Sequence, residues 1–77
     1  MLEGYRLVVR DHVYDKCWEL DITWAELERL LDGGEVIEEQ RTDDEGKRVV
    51  LVLGWRRPLH VVYRADPETR LAGFLTV

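Results

Sequence analysis

Seventy-seven residues are enough for one domain, spanning 1–77, and no more. With 45% hydrophobic and 35% charged residues, the chain has the balance of a folded domain, and its longest apolar run, Val49 to Leu53, is far too short to cross a bilayer. A net charge of −5 argues against nucleic acid, while one cysteine and two histidines exclude an internal disulfide and speak against a four-ligand zinc site.

The opening run Leu2-Glu3-Gly4-Tyr5-Arg6 does not read as an export leader, so the expectation is a cytoplasmic, non-membrane protein. Tyr5 to Val9 reads as a short strand. Asp11 is placed to cap the helix that follows, where Val13, Cys17 and Leu20 share one face with Tyr14 and Trp18 beside them. Thr23-Trp24-Ala25-Glu26 is a capping box that opens a second helix, with Ile22 and Leu27 set for a hydrophobic staple. Trp24, Leu27, Leu30 and Leu31 form its buried stripe. Gly33-Gly34 is expected to end it through a left-handed glycine.

From Glu35 the hydrophobic period changes. Val36 opens a strand running towards Arg41, and Asp43 to Gly46 is a polar turn. Val49 to Leu53 is apolar at every position and predicts a central strand covered on both faces. Gly54 to Pro58 is a turn, Leu59 to Ala65 a strand, Asp66 to Thr69 a turn with Pro67 at its second position, and Leu71 to Val77 the last strand. Links this short make neighbouring strands antiparallel. The expected fold is α+β, with two N-terminal helices packed on a mainly antiparallel sheet of three to five strands.

Charge divides along the chain. Residues 1–45 carry fourteen acids against five bases, and residues 46–77 carry two acids against six bases, roughly −9 and +4. A basic patch on an acidic body can hold an anion, or the two halves can pair with each other.

Nucleotide-binding glycine motifs and paired-histidine metal motifs are absent, no cofactor is implied, and no serine is present to act as a nucleophile. Cys17 sits on an apolar helix face and reads as a small buried hydrophobe. His60, Val62 and Arg64 fall on one face of their strand, and Leu59, Val61 and Tyr63 on the other. Arg56 and Arg57 lie in the adjoining turn. An imidazole near guanidinium groups is the minimum for handling a phosphodiester: His moves protons near neutral pH, and Arg forks phosphate oxygens. The alternative is a structural histidine beside a surface arginine. His12, at a helix start, is a second candidate acid or base, or a surface residue near Asp11. Trp55, beside two arginines, can stack on a base, or fold back over the sheet.

Several blocks resemble one family. Arg10 to Cys17 followed by Ile22-Thr23, Leu31 to Glu39 with its Gly-Glu-Val-Ile-Glu stretch, Leu51-Val52-Leu53-Gly54, Arg57-Pro58-Leu59-His60-Val61-Val62, and Gly73 to Val77 together resemble the domain of unknown function 4258 family, in the right order over nearly the whole chain. The family's layout is similar to that of small RelE-type ribonuclease toxins. The resemblance implies a metal-independent endoribonuclease, with RNA as substrate and an antitoxin protein as partner. It makes His12 and His60 the leading catalytic candidates; Arg64 joins them from the strand alternation, and Arg56, Arg57, Trp55 and Lys16 are the candidate substrate contacts. Lys16, Cys17, Leu20 and Asp21 stand where the family usually has Arg, Met, Arg and Gly, and the sequence stops at Val77 where the family continues with Tyr-x-Pro, as a trimmed or short form would. The competing reading is a non-catalytic protein-binding module with an acidic N-terminal half. A site using both histidines is expected where the first helix meets the sheet.

Overall fold

The strand Leu59–Asp66 alternates without a break: Leu59, Val61, Tyr63 and Ala65 are buried, and His60 and Arg64 are exposed. That period of two assigns one face of the sheet to the core and the other to solvent. The computed structural model describes residues 2 and 4–77; Met1 and Glu3 of the opening run lie outside them. Its elements in chain order are β1 (Arg6–Val8), α1 (Asp11–Leu20), α2 (Trp24–Gly33), β2 (Val36–Arg41), β3 (Arg48–Leu53), β4 (Leu59–Asp66) and β5 (Leu71–Thr76).

The sheet runs β1-β5-β4-β3-β2. The three short links give antiparallel pairs, as expected. β1 is the exception. It pairs in parallel with β5, because the helices and three strands intervene before the chain returns to it. The result is a mixed five-stranded sheet with both helices preceding its main part.

Both helices pack on one face only. The core joins Val13 and Cys17 of α1, Ile22, and Leu27 and Leu31 of α2 to Val49, Leu51, Leu53, Leu59, Val61, Tyr63, Ala72 and Phe74. Aromatic edges bind the layers: Trp24 meets Phe74 at 5.4 Å and Tyr14 at 6.0 Å, and Phe74 meets Tyr63 at 5.6 Å. Val50 and Val52 of β3 point away from this core, so the expected covering on both faces is absent. Val50 is half-buried, and Val52, at 8% exposure, is shielded with no helix over it.

Helix ends differ from expectation in instructive ways. Arg10, not Asp11, occupies the N-cap of α1 and makes no side-chain cap; Asp11 is the first helical residue, with its carboxylate at the positive end of the helix. In α2 the Thr23 hydroxyl accepts from the Glu26 amide at 3.1 Å, as the capping box requires. The reciprocal contact is replaced, because the Glu26 carboxylate accepts from the Trp55 indole instead, at 2.8 Å.

Gly34 ends α2 in extended geometry with φ −76°, not in a left-handed turn. It is needed for clearance: a Cβ there would sit 2.6 Å from the Leu30 carbonyl oxygen. The left-handed residue is Asp21, with φ 59°, which closes α1 as its amide donates a hydrogen bond to the Trp18 carbonyl and the Ile22 amide donates to the Cys17 carbonyl.

Two substitutions separate these terminators. Asp21→Gly relieves a left-handed Cβ and should raise stability by about 0.5–1 kcal/mol. Gly34→Ala forces a backbone clash and should lower it by about 1–3 kcal/mol. Urea denaturation of both variants measures the two signs.

Candidate functional site

With one face of the sheet sealed, the polar side chains of the strands collect on the other. The register orders them in rows. Arg48 of β3 stands directly opposite Arg64 of β4, which stands opposite Gly73 of β5, which pairs with Val8 of β1. Further along, Glu38 of β2 pairs with Val52, and Val52 with His60. His60, Arg48, Arg64 and Glu38 are all exposed.

His60 and Arg64 share this face, as the alternation predicts. They are four residues apart, about 13 Å along the strand, so a phosphate held at one does not sit at the other. A groove of about 590 Å³ crosses the same face, lined by Val8, Arg10, Lys47, Arg64, Gly73 and Leu75 among others. The β2–β3 turn draws Arg64 to its rim: the guanidinium donates to the Asp43 carboxylate and lies 3.5 Å from Glu45. Asp43 also accepts from the Lys47 amide at 2.8 Å. Desolvation pushes the Asp43 carboxyl up, but the Lys47 and Arg48 amides and the Arg64 guanidinium outweigh it and hold the group below its ordinary value. Among the described residues Arg48 makes no ion pair.

His12 is elsewhere. Its imidazole donates to the Leu75 carbonyl at 2.8 Å. Leu75 is the extra residue of a β-bulge, since Val62 pairs with Thr76 and Tyr63 with Phe74. A bulge residue is left out of the ladder. His12 therefore ties α1 to β5 where the sheet cannot satisfy itself. The two histidines do not meet where α1 joins the sheet: His12 is at that joint, and His60 projects from the uncovered face.

The remaining candidates form a third group, around the α1–α2 link. Arg56 donates to the Asp21 carbonyl at 2.8 Å and stacks over the Trp55 ring at 4.2 Å. Trp55, with its indole N–H on Glu26, is a strut between the β3–β4 turn and α2, with one ring face taken by Arg56. Arg57 is exposed in the same turn, and the cavity there holds about 290 Å³. Lys16 lies on α1, paired with Glu19 at 3.4 Å. Cys17 is buried, and desolvation pushes its thiol up, which suits packing and not nucleophilic attack.

Sequence alternation found His60 and Arg64 but missed Arg48 and Glu38. Strand pairing was the needed signal. Arg48 lies at the end of an apolar run, and its position opposite Arg64 depends on the β3–β4 register.

A family profile described as Domain of unknown function (DUF4258) matches residues 9–77. No curated protein and no solved structure matches the chain. Among the described residues no helix is long and apolar enough to cross a membrane.

The Asp43 clamp has a pH signature. Its carboxyl is lowered in the native state, so its contribution is complete above the ordinary value of 3.8 and disappears as pH falls through the native one. Asp43→Ala should thus be less stable than wild type at pH 7, and the gap should close progressively below pH 4. Paired urea titrations at several pH values check this.

Proposed function

The chain belongs to the domain of unknown function 4258 family, and from its geometry we propose that the uncovered sheet face binds single-stranded RNA and cleaves it, as a cytoplasmic toxin-type endoribonuclease that needs no metal. One observation carries this reading. Arg48 and Arg64 stand directly opposite on an exposed face. Arg64 is held by Asp43 and Glu45, while Arg48 makes no ion pair among the described residues, so an anion reaching this row meets a guanidinium without a partner. Phosphate matches the guanidinium fork, and a face carrying two arginines reads as a track for a phosphodiester chain. His60, further along the same strand face, supplies a group able to move protons near neutral pH. In this reading His12, Trp55, Arg56 and Lys16 support the scaffold and stay out of the chemistry.

A second reading rests on β2. All six of its residues are exposed, and it forms one edge of the sheet. Such an edge can accept a strand from a protein partner, an antitoxin for example, with or without catalysis by this chain.

Fluorescence anisotropy with a single-stranded RNA, across a salt series, tests the first reading. Arg48→Ala and Arg64→Ala should each weaken binding and flatten the log–log salt slope by about 0.7. His60→Ala should cut cleavage by about 10²–10⁴ with little change in binding. Wild-type protein that fails to bind RNA, or a His60→Ala variant that cleaves as fast as wild type, rejects it.

A further inference from the structure

Strand β2 changes parity in mid-course. Val36 pairs with Leu53, a core position, yet Glu38 pairs with Val52, which points away from the core. An unbroken strand would put Val36 and Glu38 on the same face. The register shift between them, with Ile37 as the extra residue, turns Glu38 onto the uncovered face. Its neighbour Glu39 pairs with Leu51 on the core side and lies 3.6 Å from Arg41.

The turned carboxylate completes a row with His60. Glu38, Val52 and His60 are successive partners across β2, β3 and β4. With strands about 4.8 Å apart, the outer two Cα atoms are about 10 Å apart. A carboxylate and an imidazole then flank Val52, which is itself buried. Among the described residues neither Glu38 nor His60 makes a side-chain hydrogen bond or ion pair.

We infer that Glu38 is the second proton-transfer residue of the site, paired with His60 in the role that His12, held on the Leu75 carbonyl, does not fill. The inference rests on the ribonuclease reading and names its chemistry. The Glu38 carboxylate takes the proton of an RNA 2′-hydroxyl, and the 2′-oxygen forms a bond to the adjacent phosphorus. The bond from phosphorus to the 5′-oxygen breaks, and protonated His60 gives that oxygen its proton. The products are a 2′,3′-cyclic phosphate end and a 5′-hydroxyl end. Glu38 is left protonated and His60 neutral, and exchange with water resets both, so no further reactant enters. Substrates lacking the 2′-hydroxyl bind without being cut.

Single-turnover cleavage of a single-stranded RNA oligonucleotide tests this, alongside anisotropy with its 2′-deoxy counterpart. Glu38→Gln should slow cleavage by about 100-fold or more, keep affinity for the deoxy oligonucleotide within about threefold, and keep the wild-type circular dichroism melt. Glu39→Gln, on the other face, should cleave within about twofold of wild type. If wild type cleaves and Glu38→Gln cleaves equally fast, the role of Glu38 is overturned and the ribonuclease reading stands. If wild type binds RNA but never cleaves it, both fall.

Discussion

Two ten-residue helices cannot cover both faces of a five-stranded sheet, and this shortage of chain governs the rest of the molecule. Each helix is about 15 Å long, and the sheet is about 19 Å across its strand axes. Both helices lie on one face, where Leu27, Leu31 and Val13 meet Leu51, Val61, Tyr63 and Phe74. A chain of this length buries a smaller fraction of its surface than a larger domain does, so stability depends on that single layer. The opposite face carries no helix, and its polar side chains stand exposed around a shielded Val52. A face that carries arginines, a histidine and a carboxylate without a covering layer is where a functional explanation is needed.

Residues whose types invite chemical readings turn out to be joints. His12 ties α1 to the bulge at Leu75, Trp55 ties the β3–β4 turn to Glu26 of α2, and Arg56 ties the same turn to the end of α1. Each satisfies a polar group that secondary structure leaves open: a bulge carbonyl, a capping-box carboxylate, a carbonyl at a helix end. In so small a domain these ties fix the helices and turns against the single core layer. Gly54 shows the same economy. Its amide donates to the Glu35 carbonyl at 2.8 Å, and a Cβ on it would meet the Glu35 carboxylate at 2.7 Å. This accounts in structural terms for two of the stretches that carry the family resemblance.

Local patterns were legible in the sequence, and pairings were not. The alternation of β4 assigned His60 and Arg64 to one face, and Thr23 announced α2, because each depends on neighbours within a few residues. Asp21 as the left-handed terminator of α1 was marked only by the glycine usual at that position in the resemblance, since aspartate adopts the conformation only occasionally. The parallel partner of β1 depends on contacts 65 residues apart in register. The bulge at Ile37, which decides where Glu38 points, leaves no mark in composition or period. Arg48 stayed hidden for the same reason: nothing local says which residue of β4 it will face.

The central claim is that function resides on the sheet face turned away from the helices. Titrating isotopically labelled protein with a short single-stranded RNA, and following its amide and arginine side-chain resonances, tests this most directly. The account predicts saturable shifts confined to β3, β4 and the facing part of β2, strongest around Arg48, Val52, His60 and Arg64, with α1 and α2 unmoved. Shifts centred on α1 and His12, or around the α1–α2 link with Arg56 and Arg57, would contradict it.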